Sequence, residues 1–259
     1  MAGGSQPARP PRTRPRHAHP RPTYARTVRR ALRTVPHYRE RYAATGALPP
    51  LTRAEADERR HLLMPLGEAS PARRDPGLPV AERTAELYEA LRLAGHRTRG
   101  LDVYEAARSL RDPVRAHGST WRVLLDATAH TDPYAEPGIR PGALPEGPAL
   151  VVGDPGTPGG RDLVRVARTS LAEAAGSRPP RGSLWYEPWL GHLGAVPPSC
   201  GELHLNTGRV HARLLGDTTV LTLLRRRRPT LVHVCPEAAE RFRPERCPVH
   251  GTPIVRRTP

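Results

Sequence analysis

The chain of 259 residues is long enough for one sizeable hydrophobic core. Hydrophobic residues make up 37% and aromatic residues 4% of the chain, while 32 Pro and 23 Gly predict short elements joined by many turns. All 41 basic residues are Arg, so the net charge of +16 is explained by GC-rich codon bias and is weak support for a nucleic-acid partner. The absence of long apolar runs argues against a membrane span or a signal peptide and predicts a cytoplasmic protein.

The first part of the chain changes from a polar tail to helices. Residues 1–22 are rich in Pro, Arg and His and offer almost nothing to bury, which predicts a disordered tail. Apolar residues at helical spacing predict a kinked helix over 24–46, broken at Pro36. Thr52 and Glu55 have the spacing of a capping box, which predicts a second short helix.

The middle of the chain alternates between helix and strand patterns. Helical spacing predicts a helix over 81–94. Short apolar runs at 121–126 and 149–153 are typical of strands covered on both faces. A predicted helix over 161–175 leads to a third strand at 183–186. Strand, helix and strand in this order predict a parallel α/β layer.

After Pro198 the pattern changes to short β-type runs separated by Gly, Asp or Pro. Four such runs lie between 202 and 234. We therefore expect an α/β core over 23–197 and a separate β-rich subdomain over 198–259.

Two short Cys–His pairs bracket most of this β-rich segment. Cys200 and His204 form a C-x3-H pair, and Cys247 and His250 form a C-x2-H pair. A short pair lets one turn place two ligands on one ion, and four such ligands close a tetrahedron. The 42 residues of segment 205–246 exceed the spacing of a nucleic-acid-reading zinc finger. The pattern therefore predicts a structural zinc ion that joins two parts of the subdomain.

An alternative ligand pair is present at His233 and Cys235. These residues are two apart, so on a strand they would face the same side and could replace one of the other pairs. Free Cys is also a common core residue, and 12 His make chance pairings easy.

Seven segments between residues 24 and 255 occur in an order known from one enzyme family. They are TVPHYRERYAATG (34–46), LPPLTR (48–53), GIRPGAL with VVGDP (138–144 and 151–155), WYE (185–187), GELHL (201–205), LTLL with RPT (221–224 and 228–230) and CPVHG (247–251). They resemble motifs of the phenylacetate-coenzyme A ligase branch of the adenylate-forming superfamily. The resemblance implies an acyl-binding α/β core and a zinc ion on the Cys–His quartet, with His250 in place of a family Cys.

The chain departs from this family where the chemistry with ATP takes place. Activation of an acid needs a donor-rich loop around the phosphates, an acidic residue for magnesium and a C-terminal Lys. Residues 68–77 (EASPARRDPG) lack the pattern of the loop, Leu190 replaces the second Glu of a Tyr-Gly-x-x-Glu motif, and the sequence contains no Lys. We therefore expect a shortened, degenerate ligase relative that uses neither ATP nor magnesium.

The resemblance implies that the chain binds an acyl group or an aryl or aliphatic carboxylic acid, or is a partner of an intact ligase or carrier protein. The candidate pocket residues are Trp185, Tyr186, Glu187 and Trp189, for which ordinary core packing is the alternative.

Two other classes of function stay open. Glu187, His192 and Asp154 offer acid and base groups for a different chemistry. An Arg-rich zinc protein that binds nucleic acid is the third class, which the lack of aromatic residues among the N-terminal arginines disfavours. The Gly-rich segment 153–160 has the position of a phosphate loop, but it lacks a Lys and contains two Pro without N–H donors.

Overall fold

The structure is a computed structural model that describes the backbone of residues 20–67, 80–107, 114–116, 119–125, 148–153 and 163–258. Within these residues helices and strands are mixed, which confirms the predicted α/β class. Most of the predicted tail, the segment 68–77 and Asp154 lie outside the described residues. None of the described helices combines the length and apolar character needed to cross a membrane.

Five α-helices and thirteen strands are present in the described part of the chain. The helices are α1 (Pro20–Thr34), α2 (Pro36–Thr45), α3 (Arg53–Glu58), α4 (Val80–Leu93) and α5 (Leu171–Gly176). The first strands are β1 (Asp102–Ala107), β2 (Val114–Ala116), β3 (Ser119–Leu125), β4 (Ala149–Val152), β5 (Leu163–Val166), β6 (Arg168–Thr169) and β7 (Leu184–Glu187). The others are β8 (Gly191–Ala195), β9 (Leu203–Leu205), β10 (Val210–Leu215), β11 (Thr218–Leu223), β12 (Phe242–Arg246) and β13 (Pro253–Arg257).

The first sheet has the strand order β2-β3-β1-β4-β5. Strands β3, β1, β4 and β5 are parallel, so the predicted strands at 121–126 and 149–153 lie in one parallel layer, and β2 pairs with β3 in the antiparallel sense. The predicted third strand at 183–186 is β7, which lies in the second sheet. The chain runs from β1 to β3 on one side of β1 and then to β4 on the other side. The order of the strands therefore reverses between β1 and β4.

The second sheet has six strands in the order β12-β13-β9-β8-β7-β6. Its strand β8 pairs with β9, so that Gly194 lies opposite Leu205 and Ala195 lies opposite His204. This pairing joins the two sides of the expected boundary at 197/198 within one hydrogen-bonded sheet. Strands β10 and β11 form a separate hairpin.

The prediction of one helix over 161–175 is wrong. Residues 163–169 form β5 and β6, and only Leu171–Gly176 is helical. Val164 and Val166 alternate with Arg165, and this period of two favours a strand over a helix. The helix begins where Ser170 forms a full capping box with Glu173.

The N-terminal helices follow the predicted break at Pro36. Helix α1 ends at Thr34 and α2 begins at Pro36. Proline has no N–H, but a helix makes no backbone hydrogen bond from the N–H of its first residue, so no bond is lost. Helix α1 already begins at Pro20, so residues 20–22 are helical and do not belong to the predicted tail. Thr52 caps α3 as predicted by accepting from the Glu55 N–H, but the Glu55 carboxylate pairs with Arg41 and does not complete the box.

The core consists of two main clusters of buried side chains. One cluster packs α1, α2 and α5 against the second sheet, with Trp185 fully buried within it. The other cluster joins the two sheets through α4, where Tyr88 and Leu91 pack with Leu150 of β4 and Leu184 of β7. Helix α4 therefore holds strands of the parallel sheet close to β7 and β8.

Candidate metal centre and sheet-edge cluster

The first half of the predicted metal site is a tight turn between β8 and β9. The backbone N–H groups of Cys200 and Gly201 both donate to the Pro197 carbonyl, at 3.4 and 3.1 Å. Gly201 has a φ of +72°, a conformation that glycine adopts without strain. The turn places Cys200 beside His204, which lies on β9.

The second half of the site is the tip of the β12–β13 hairpin. The Cys247 N–H donates to the Thr252 carbonyl at 2.8 Å, and the Gly251 N–H donates to the Cys247 carbonyl at 2.7 Å. Strand β13 pairs with β9 so that Ile254 lies opposite His204. Sheet pairing therefore brings the two Cys–His pairs together.

The four predicted ligands converge on one point. Their ligand atoms all lie within 4.8 Å of one another, with Cys200 Sγ 3.0 Å from His204 Nε2 and Cys247 Sγ 3.4 Å from His250 Nδ1. Tetrahedral zinc with its usual bond lengths separates its ligand atoms by about 3.3 to 3.8 Å. The group can therefore hold a metal ion such as zinc after small adjustments.

Both histidines are oriented by hydroxyl groups. His204 Nδ1 lies 2.9 Å from Thr252 Oγ1, and His250 Nε2 lies 2.9 Å from Ser199 Oγ. If these nitrogens carry the protons and donate to the hydroxyl oxygens, the lone pairs of His204 Nε2 and His250 Nδ1 face the centre. Such outer hydrogen bonds are typical of metal-binding histidines, whose tautomer they select.

Burial keeps two ligands of the quartet, His204 and Cys200, uncharged in the absence of a cation. Burial, and then the neighbouring His250, lower the pKa of His204 to about 4, so its imidazole is neutral at pH 7. Burial, together with the nearby Cys247 thiol, raises the pKa of Cys200. A bound cation would favour the thiolate forms, because thiolates are the form in which Cys binds metals.

The alternative ligands lie elsewhere. His233 Nδ1 donates to the Leu48 carbonyl at 3.0 Å, and its Nε2 accepts from the Tyr24 hydroxyl at 2.7 Å, so both ring nitrogens are engaged. The Cys235 thiol lies 3.6 Å from the Pro236 carbonyl. Among the described residues, the quartet is the group brought together for a metal, and this alternative pair is not part of it.

The four candidate pocket residues do not share one environment. Trp185 is fully buried, and its indole N–H donates to Glu187 Oε1 at 3.0 Å. The same oxygen accepts from the Leu171 N–H at 2.7 Å, where α5 begins. Burial raises the pKa of Glu187, against the lowering effect of these two hydrogen bonds. Trp189 is half-buried against the same core, whereas Tyr186 contacts a different set of residues.

Tyr186 belongs to a cluster at the carboxyl edge of the parallel sheet. Oε1 of Glu105 on β1 lies 2.6 Å from Arg168 Nη2 and 2.9 Å from His192 Nε2. The Arg168 guanidinium also lies 4.3 Å from the centre of the Tyr186 ring, and the rings of Tyr186 and His192 are 4.9 Å apart. We call these four residues the sheet-edge cluster.

The charges in the sheet-edge cluster are compensated within the protein. Burial would raise the pKa of Glu105, but the hydrogen bond and charge of His192 and the charge of Arg168 lower it to about 2. Burial lowers the pKa of His192, with Glu105 opposing this effect. The carboxylate is therefore ionised and can only accept, so Nε2 of His192 carries the proton that it donates to Glu105.

Gly153 completes the edge at the end of β4. Its φ is +84°, and a Cβ at this position would lie 3.1 Å from Arg168 Nη1. Arg168 Nη1 also donates to the Ala106 carbonyl at 2.7 Å. A glycine is therefore needed here so that the guanidinium can reach the ends of β1 and β4.

A second buried group of charges lies next to this cluster. Glu86 on α4 is 3.7 Å from Arg226 and 3.9 Å from Arg209. Burial raises the pKa of Glu86 to about 7, although both arginines lower it. At these distances the ion pairs are too long for strong hydrogen bonds, so the effect of burial is larger. Arg209 makes its short contact, 2.6 Å, with Glu89 instead.

Sequence reasoning named His192, Glu187 and Asp154 as possible acid and base groups without pairing them, and it missed Glu105 and Arg168. The structure pairs His192 with Glu105, which is 87 residues away. The one local signal for Glu105 is a charged residue within the run Val-Tyr-Glu-Ala-Ala, where a strand with both faces covered should be apolar.

Comparisons of the chain with family models, curated proteins and solved structures find no match. A proposal about function therefore has to be argued from the chemistry of the metal centre and of the sheet-edge cluster.

Proposed function

We propose that this chain is a zinc-stabilised relative of the phenylacetate-coenzyme A ligases that binds a carboxylic acid or acyl compound and does not activate it with ATP. The observation that carries the proposal is the sheet-edge cluster. It lies at the carboxyl ends of β1 and β4, where the strand order of the parallel sheet reverses. Open α/β sheets bind their ligands at such a point, in the crevice outside the strand ends.

The charge of the cluster favours an anionic ligand. Arg168 contacts Glu105 directly and acts on His192 through its charge, and Arg83 of α4 acts on both through its charge. Arg83 also acts on Glu86 through its charge. A ligand carboxylate could pair with either guanidinium, and the Tyr186 ring offers a surface for the apolar part of the ligand.

The metal quartet supports a structural role for zinc. Two thiols and two imidazoles form a closed set of four protein ligands, without the open position that a catalytic zinc keeps for water. The ion would join the turn before β9 to the tip of the β12–β13 hairpin. Zinc would then stabilise one end of the second sheet.

The residue that replaces the expected magnesium ligand argues against activation with ATP. Leu190 is 1% exposed and packs in the core beside Trp185, so its position offers no oxygen ligand and faces no solvent. The 259 residues also contain no Lys to stabilise charge on the phosphates.

Calorimetric titration and pyrophosphate exchange test this proposal together. We expect saturable binding of at least one acid from a panel of phenylacetate, benzoate and octanoate, weakened roughly tenfold by Tyr186→Ala or Arg168→Gln. Tyr42→Ala is the matched control, because Tyr42 is 48% exposed on α2, and it should leave binding unchanged. With ATP and magnesium we expect no acid-dependent exchange.

Two results would contradict the proposal. Exchange well above background would show an active ligase with a diverged site. Binding of none of the acids would favour a role as a partner of an intact ligase or carrier protein.

A further inference from the structure

The sheet-edge cluster contains two buried polar atoms whose partners are not supplied by the described residues. They are Nδ1 of His192 and Nε of Arg168. His192 is 5% exposed as a whole residue. Buried polar groups in folded proteins are normally satisfied, so atoms of this kind indicate a missing partner.

The two atoms have opposite hydrogen-bonding character. Because Nε2 of His192 donates its proton to Glu105, Nδ1 of the neutral ring carries a lone pair and can only accept. Nε of Arg168 carries a hydrogen and can only donate. The ionised Glu105 carboxylate holds both residues in place, at 2.9 Å from the ring and 2.6 Å from the guanidinium.

A ligand carboxylate can satisfy only one of these atoms. It accepts from the Arg168 N–H, but an ionised carboxylate has no hydrogen to give to His192 Nδ1. A hydroxyl group both donates and accepts, so as a neutral substituent on an organic acid it supplies the missing donor. Among the described residues, the charged groups that act on His192 are Glu105 on β1, Arg168 on β6 and Arg83 on α4, and they include no second carboxylate.

We propose that the ligand of this site is a hydroxylated carboxylic acid, and that Nδ1 of His192 accepts the hydrogen of its hydroxyl group. This inference rests on the proposed function, which it narrows from carboxylic acids in general to hydroxy acids. Glu105 is a positioning residue in this arrangement, because it selects the tautomer of His192. His192 is the residue that determines specificity, since a deoxy ligand would leave Nδ1 buried without a partner.

Paired ligands test the inference. The probes are phenylacetate and its hydroxylated analogues, namely mandelate and the ortho-, meta- and para-hydroxyphenylacetates. We expect at least one hydroxylated acid to bind the full chain roughly tenfold or more tightly than phenylacetate. Phenylacetate keeps the carboxylate and the ring, so the comparison isolates the hydroxyl group.

Two variants test the acceptor atom, Nδ1, separately from the rest of the His192 side chain. In His192→Asn the side-chain oxygen can occupy the position of Nδ1, so preference for the hydroxylated acid should be kept. In His192→Gln the side-chain N–H can still donate to Glu105, but the acceptor at the Nδ1 position is lost, and the preference should disappear. Both variants must keep the circular-dichroism spectrum of the parent chain.

Nitrogen–proton NMR of the His192 ring supplies a measurement that does not depend on the choice of acid. At neutral pH we expect a proton on Nε2 and an unprotonated Nδ1. The Nδ1 resonance should shift when the hydroxylated acid is added and stay in place when phenylacetate is added.

The outcomes are distinguishable. A proton on Nδ1 of His192 in the free protein would overturn the inference, regardless of which acids bind. Equal binding of all the acids would overturn it while leaving the proposed function intact. Binding of none of the acids would remove both proposals.

Discussion

The metal centre and the sheet-edge cluster both contain histidines that are neutral at pH 7, but neutrality has a different consequence in each. In the metal centre, His204 faces Cys200, Cys247 and His250, and burial keeps His204 and Cys200 uncharged in the absence of a cation. In the sheet-edge cluster, His192 donates to an ionised Glu105 that Arg168 also binds. The first site therefore needs an ion from outside to hold its ligands together, whereas the second is held by charges of the protein itself.

Because the metal centre depends on an ion from outside, we expect loss of the metal to lower the stability of the protein more than the other substitutions described below. Cys247→Ser should abolish binding of about one zinc per chain and destabilise the second sheet by several kcal/mol, because metal binding contributes directly to folding. Metal analysis and chemical unfolding measure the two effects. Cys235→Ser is the matched control and should keep both the zinc and the stability.

Two results would contradict the prediction for the metal centre. Purified protein that binds no zinc would show that the quartet is an ordinary cluster of side chains. Release of zinc by Cys235→Ser, but not by Cys247→Ser, would move the site to the alternative ligands.

The second prediction concerns the buried carboxylate. Glu105→Gln should destabilise the protein by about 3 kcal/mol, because it leaves Arg168, whose side chain is 18% exposed, without its counter-charge. The matched control is Glu245→Gln, which removes a 3.0 Å ion pair with Arg256 in which both side chains are at least one-third exposed. This control should cost less than about 1 kcal/mol. Equal losses in the two variants would show that the sheet-edge cluster does not hold its charges as described.

A third prediction uses pH to compare two buried glutamates. The pKa of Glu86 is about 7 in the folded chain against an ordinary value of 4.5, so protonation favours folding. The stabilising contribution is complete below pH 4.5 and is lost as pH rises to about 7. The contribution of Glu105, whose pKa is lowered, is present above pH 4.5 and is lost as pH falls towards 2.

Unfolding experiments at pH 5 and pH 8 check the sign for Glu86. The free energy of unfolding of Glu86→Gln, relative to the parent chain, should rise between these values by at most about 3 kcal/mol. A fall in the same interval would show that Arg209 and Arg226 outweigh the effect of burial.

The smallest expected effect is at a helix start beside the sheet-edge cluster. Ser170→Ala removes the capping box of α5 and should cost about 1 kcal/mol. Thr52→Ala, at the half-complete cap of α3, should cost less. Neither change should alter the NMR signals of His192, and a change in these signals with Ser170→Ala would show that α5 helps to position the cluster.

The sequence was informative where a feature depends on near neighbours. Within each pair of metal ligands, the Cys and the His are only four or three positions apart in the sequence. The break between α1 and α2 follows from Pro36 alone. Glu105 and His192 meet only because α4 brings two sheets together. No local sequence pattern predicts that packing. The wrong prediction of a helix over 161–175 concerns a local pattern, since Val164 and Val166 alternate with Arg165 at the spacing of a strand.

The position of the metal ligands along the chain has a consequence for the order of events during synthesis. His204 leaves the ribosome 43 residues before Cys247, and Cys200 leaves it 47 residues before, which is several seconds at usual rates of elongation. Through that interval a zinc ion can have at most two of its four protein ligands. The edge between β9 and β13 also stays unpaired, because β13 follows the second pair. Capture of the ion and closure of the second sheet should therefore occur as one late event, and zinc-depleted cells should accumulate chains with an open β9 edge, which is exposed to aggregation.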